Sequence, residues 1–171
     1  MNPNPNPQYN VIKGLSILIG DIRNCKTKTE ESRRVEQELD KIRKKFSSNK
    51  ALSGYEKKKA VWKLLYMYVL GYNIDFGYNY AADLITSIKF SEKMTGYISM
   101  SILFTETTSE IEVMVNSIKN DLTNTNSLCQ TMALTLASNL NNVELLNAIS
   151  KEVFFFLTNY NEKQMNSVKK P

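Results

Sequence analysis

Apolar residues recur at three- and four-residue steps in one segment after another of this chain, and that period belongs to helices with one buried face. Val11, Leu15, Leu18, Ile19 and Ile22 make the first such stripe. Between Thr29 and Ser47 the chain is highly charged, yet Val35, Leu39, Ile42 and Phe46 keep a seven-residue repeat. Glu30/Arg34, Arg34/Glu38 and Asp40/Lys44 stand four apart there and predict an exposed, ion-paired helix face. Ser53-Gly54-Tyr55-Glu56 matches a capping box, in which a serine oxygen and a glutamate satisfy orphan backbone NH groups reciprocally. The helix it opens carries Val61, Leu64, Leu65, Tyr68 and Tyr72 on one face and is predicted to end near Gly71, which tolerates the left-handed conformation of a helix C-terminus. Further helices are predicted over 79–89, 91–104, 109–122, 127–140 and 143–157, with cap signals at Thr107-Thr108-Ser109-Glu110 and Asn141-Asn142-Val143-Glu144. Gly 6 and Pro 4 in 171 residues supply too few turn residues for many short strands. The expected fold class is all-α.

Caps at Ser53, Thr107 and Asn141 bracket the ~40–47 residue period of armadillo and HEAT repeats. An alpha-solenoid of stacked antiparallel helix pairs is therefore expected, with a compact bundle as the alternative. Residues 1–10 form an Asn/Pro leader with no basic region and apolar run of a secretory signal, and they are predicted to be disordered. Residues 11–171 are read as a helical-repeat body, expected to be truncated where Ser167-Val168-Lys169-Lys170 restarts a polar-then-basic pattern. A solenoid that stops without a polar cap exposes an apolar face, which calls for its continuation or a partner. No stretch reaches the ~18 uninterrupted apolar residues of a membrane span, so any membrane contact is expected to be peripheral.

The absence of histidine removes Ser/His, Cys/His and His-metal chemistry together. Phosphate-loop, dinucleotide and nucleophile-elbow motifs are missing as well, and Gly14 and Gly20 fit close helix packing better. No catalytic residue, cofactor or metal set is expected. Cys25 and Cys129 stand alone and read as free, buried thiols of a reducing compartment. Trp62, Tyr66, Tyr68, Tyr72, Phe76, Tyr78 and Tyr80 read as core and inter-helix packing rather than as a ligand pocket.

The sharpest feature is basic. Arg43, Lys44, Lys45, Lys50, Lys57, Lys58, Lys59 and Lys63 fall within 21 positions whose only acid is Glu56. They flank one helix-to-helix turn, with Lys57, Lys58 and Lys59 in the first turn of the third helix and Lys63 one turn above Lys59. Spare backbone NH groups, a positive helix end and several ammonium groups can converge there on a multivalent phosphate, with Tyr55 beside them. A phosphoinositide headgroup is the natural ligand for such a site on a peripheral protein. A merely soluble charged face is the plain alternative. Nucleic acid is a third reading, disfavoured by the lack of a stacking platform or recognition helix.

Several runs resemble the alpha-adaptins, large subunits of clathrin adaptors: Lys13-Gly14-Leu15 through Asp21-Ile22-Arg23-Asn24-Cys25-Lys26, and Gly54-Tyr55-Glu56-Lys57-Lys58-Lys59 through Trp62-Lys63-Leu64-Leu65. Leu70 through Gly77, Glu92-Lys93-Met94-Thr95-Gly96-Tyr97 and Ile118-Lys119-Asn120-Asp121-Leu122 continue it in one register. The resemblance implies the N-terminal part of a helical trunk. Such a trunk joins a beta-type large subunit, a medium mu subunit and a small sigma subunit at the cytosolic face of the plasma membrane, in clathrin-coated pits. It further implies that phosphatidylinositol 4,5-bisphosphate is held by residues matching Lys45, Tyr55, Lys57, Lys58, Lys59 and Lys63, and that Arg23 meets the acidic residue of dileucine-type sorting signals. No nucleic acid is expected among the partners. Lys13 replaces the arginine usual in the family, and the Asn-rich leader departs from it too. Without the resemblance, the runner-up is a helical-repeat scaffold whose basic face binds an acidic protein or RNA.

Overall fold

The computed structural model describes residues 12–48, 50–103, 108–140 and 142–168. The Asn/Pro leader, the cap expected at Thr107 and the terminal Lys169-Lys170 lie outside the described residues. Among them there are eight helices and no strand. The chain divides into two compact units, Met1–Gly77 and Tyr78–Pro171.

The first unit holds α1 (Lys13–Arg23), α2 (Lys28–Phe46) and α3 (Gly54–Val69), each packed on the other two. The stripes read from the sequence meet in one core: Leu18 and Ile22 from α1, Val35, Leu39 and Ile42 from α2, and Ala60, Leu64 and Met67 from α3. Ile74 closes it, with Phe46, Tyr66, Tyr72 and Phe76 packed against it. Tyr68, expected on the inner face of α3, is exposed, and Met67 takes the buried position. The capping box forms as read. At the other end Gly71 has φ +92°, and the Tyr72 NH donates to the Met67 carbonyl at 3.2 Å while the Gly71 NH reaches Tyr68 at 2.8 Å. That is a Schellman closure, which only a residue free of Cβ strain makes cheaply.

The second unit holds α4 (Tyr78–Ile85), α5 (Phe90–Leu103), α6 (Thr108–Leu122), α7 (Ser127–Leu140) and α8 (Val143–Val168). Within it α4 packs on α6 and α6 on α8, while α5 packs on α7; α4–α5, α6–α7 and α7–α8 contacts join the rows. Two rows with next-but-one contacts are the arrangement of a helical repeat rather than of a bundle around a single axis. Tyr97, Met100, Met114, Ile118, Leu136 and Leu145 are fully buried between them. Asp121 shares that interior: the Lys93 ammonium reaches both Asp121 oxygens at 2.8 and 2.6 Å, and the Tyr97 hydroxyl donates to Asp121 at 2.7 Å. Burial and this carboxylate push the Tyr97 hydroxyl far above its ordinary range. The α8 cap falls on Asn142, whose side chain accepts the Leu145 NH at 2.9 Å, one residue later than the expected Asn141. Among the described residues no helix is long and apolar enough to cross a membrane.

Candidate functional site

Arg43, Lys44 and Lys45 occupy the last turn of α2, where the helix dipole favours cations, and Ser53 caps α3 across a short connection. The Ser53 hydroxyl accepts the Glu56 NH at 3.3 Å, while one Glu56 oxygen takes the Ser53 NH at 3.1 Å and its hydroxyl at 2.9 Å. The other Glu56 oxygen lies 3.0 Å from the Lys45 ammonium. Lys45 first, then the two Ser53 hydrogen bonds, hold the Glu56 carboxyl down to about 2. The cap narrows the expectation of spare backbone NH groups at this helix start to Gly54 and Tyr55. The Ser53 and Glu56 NH groups are filled by the cap itself, and Lys45 already has an anion.

Lys63 also departs from the expected picture. Its ammonium bonds to Glu38, and the two side chains are only 15% and 6% exposed. Arg34 Nη1 reaches the same carboxylate at 2.9 Å, and Arg34 Nε reaches Asp21 at 2.9 Å. Burial opposes ionisation of Glu38, but Lys63 and Arg34 outweigh it and hold its carboxyl below the ordinary range. The pair expected on an exposed face of α2 is thus part of a half-buried network linking α1, α2 and α3. Arg43 turns away as well, bonding to Asp75 at 3.0 Å and lying 4.5 Å from the Phe76 ring centroid.

What remains for a ligand is the outer part of the first α3 turns. Tyr55 is 55% exposed. Lys57, Lys58 and Lys59 are half-buried, and among the described residues neither Lys58 nor Lys59 has a carboxylate within ion-pair distance. Gly14 shapes this surface, since a Cβ there would stand 2.6 Å from Cε of Lys59 and 3.5 Å from Cε of Lys63. The stem of Lys59 therefore runs across the start of α1, a close approach that the helix tolerates only because position 14 has no side chain.

Arg23 ends α1 and is exposed, with no ion pair among the described residues. Just beyond it the α1–α2 turn opens a polar cleft of about 340 Å³ lined by Asn24, Cys25, Arg33, Arg34 and Gln37 together with Asp21 and Glu30. Cys25 is only half-buried there, its thiol donating to the Asp21 carbonyl at 3.3 Å, whereas Cys129 is buried as expected. Burial, then Asp121, raises the Cys129 thiol. Of the aromatic set, Tyr66, Tyr72 and Phe76 pack on the core of the first unit.

Residues 31–170 match the family model described as the Adaptin N terminal region. The chain is 41% identical over 147 residues to the AP-2 complex subunit alpha-2 of Dictyostelium discoideum, covering 86% of this chain and 15% of that protein. It is 40% identical over 142 residues to the AP-2 complex subunit alpha-1 of Arabidopsis thaliana, covering 83% of this chain and 14% of the relative. Against the AP-2 complex subunit alpha of Schizosaccharomyces pombe the identity is 41% over 148 residues, covering 86% and 17%. The chain thus spans less than a fifth of the length of these relatives. The helical fold, the matched model and the alpha-type relatives agree: the chain belongs to the adaptin family, as an alpha-adaptin N-terminal region.

Proposed function

We propose that this chain is the part of a clathrin adaptor large subunit that meets phosphoinositide headgroups, phosphatidylinositol 4,5-bisphosphate above all, at the cytosolic face of the plasma membrane. The observation that carries the proposal is the outer surface of the first α3 turns, where Tyr55 and the Lys57-Lys58-Lys59 run stand with no carboxylate on Lys58 or Lys59 among the described residues. Lys45 joins them when it exchanges Glu56 for the ligand. Lys63 supports the group from beneath through Glu38 and Arg34.

At about 1 kcal/mol for each basic residue near an anionic surface, three lysines supply roughly 3 kcal/mol, a dissociation constant of several millimolar. Attachment of that strength is one contact among several, and partner subunits would supply the rest by avidity. Assembly with beta-type, mu and sigma subunits fits this need, and the relatives are themselves named as subunits of an AP-2 complex. Changing Lys57, Lys58 and Lys59 together to Glu is expected to abolish sedimentation with bisphosphate-containing vesicles. Undiminished binding would overturn the lipid reading, and equal binding to an RNA oligonucleotide would favour the scaffold reading instead.

Arg23 is proposed to meet the acidic residue of dileucine-type signals beside the sigma subunit. Its exposure at the end of α1, without an internal carboxylate among the described residues, supports that role. An adaptor carrying Arg23→Ser is expected to lose uptake of acidic dileucine cargo while keeping vesicle binding. Normal uptake would remove the assignment.

A further inference from the structure

The Lys45–Glu56 contact gives the basic surface an anion of its own. One carboxylate oxygen sits 3.0 Å from the ammonium, and the other is fixed by the Ser53 NH and hydroxyl at 3.1 and 2.9 Å. Both side chains are open to solvent, at 38% and 42% exposure, so the pair can part without any backbone movement. Parting also leaves α3 capped, because the Ser53 bonds to Glu56 do not involve Lys45. The depressed Glu56 carboxyl means that the contact is complete above its ordinary value and is lost only as pH falls through about 2. At neutral pH protonation therefore does not open it, whereas a competing anion can.

We infer that Glu56 is a built-in competitor for Lys45, so that Lys45 is released to ligands carrying two phosphomonoesters and withheld from lipids of a single negative charge. This rests on the lipid reading given above. A singly charged headgroup offers Lys45 no more than Glu56 already provides, and the fixed carboxylate has no entropy left to lose. A phosphomonoester carries about −1.5 to −2 charges, and a second one can engage Lys58 and Lys59 at the same time. The exchange is then favourable for a bisphosphate headgroup alone. Glu56 thereby converts a generally basic surface into one with a charge-density threshold.

The test is a double-mutant cycle on the full chain with Lys45→Gln and Glu56→Gln, glutamine at 56 keeping an acceptor for the Ser53 NH. Binding is measured to phosphatidylcholine vesicles containing either phosphatidylserine or phosphatidylinositol 4,5-bisphosphate. Calorimetry with soluble inositol 1,4,5-trisphosphate separates headgroup from bilayer effects. With Glu56 present, Lys45→Gln is expected to weaken bisphosphate binding by less than the about fivefold that one uncompeted basic side chain is worth, and to leave phosphatidylserine binding unchanged. With Glu56→Gln, the same lysine change is expected to weaken both. Equal weakening of both lipids by Lys45→Gln with Glu56 intact overturns the inference, as does no effect on the bisphosphate. If Lys45→Gln is silent while the Lys57/Lys58/Lys59 charge reversal abolishes binding, the competitor falls and the lipid reading stands. If the unmodified chain binds neither vesicle nor trisphosphate, both fall.

Discussion

At Gly14 an ideal Cβ would lie 2.6 Å from Cε of Lys59, the far end of a flexible side chain rather than a fixed backbone atom. A methyl group there moves the lysine and leaves the core alone. Gly14→Ala should therefore hold stability within about 1 kcal/mol of the parent, since alanine's better helix propensity offsets the local rearrangement. Re-aiming the Lys59 ammonium should weaken binding to bisphosphate vesicles about fivefold. A denaturation midpoint and a vesicle sedimentation series read the two effects separately. Binding equal to the parent would show that the path of Lys59 over α1 does not matter. The lysine run itself was legible in the sequence, and so was Gly14 as a packing glycine. The partners of Lys45 and Lys63 were legible only halfway: Glu56 stood inside the basic window, but Glu38 lies 25 residues before Lys63 and reaches it only through the α2–α3 contact. A linear charge count cannot see an acid delivered by another helix.

Among the elements, those with strong punctuation were read most closely. α7 runs Ser127–Leu140 as expected, and α3 begins at its capping box and ends at Val69, two residues before the Gly71 that closes it, because both signals act within one turn of the chain. α4 stops at Ile85, four residues short of the expected Lys89. There the Thr86 hydroxyl donates to the Asp83 carbonyl at 2.8 Å, while Ser87 accepts the Lys89 NH at 3.2 Å and donates to Glu92 at 2.8 Å. Short hydroxyl side chains thus outcompete the helix for its own backbone groups, and Ser87 prepares the next one. α8 errs the other way and continues from the expected Leu157 to Val168. No glycine or proline interrupts the sequence between Val143 and Lys170, so loss of the apolar period there did not mark the end of the helix. Periodicity reports what is buried, whereas breakers report where a helix stops.

Across the molecule, helical-repeat packing leaves each helix with a face meant for a neighbour, and in the second unit α8 still has such a face open. Leu145 and Ile149 point into the core, while Val143 and Leu146, then Phe154 and Leu157, lie along another side with Ser150 between the two pairs. Val143 and Phe154 are 69% and 70% exposed. Exposed apolar residues gathered on one side of a helix favour association in water. The purified chain should accordingly self-associate as its concentration rises, and Phe154→Glu with Leu157→Glu should return it to a monomer in sedimentation velocity runs. The two substitutions lie on the exposed side, where surface changes cost about 0.5 kcal/mol or less each, so thermal stability should hardly move. A parent chain that stays monomeric at every concentration would show that these residues are too few to drive contact. A double variant that associates as strongly as the parent would place the contact on some other surface.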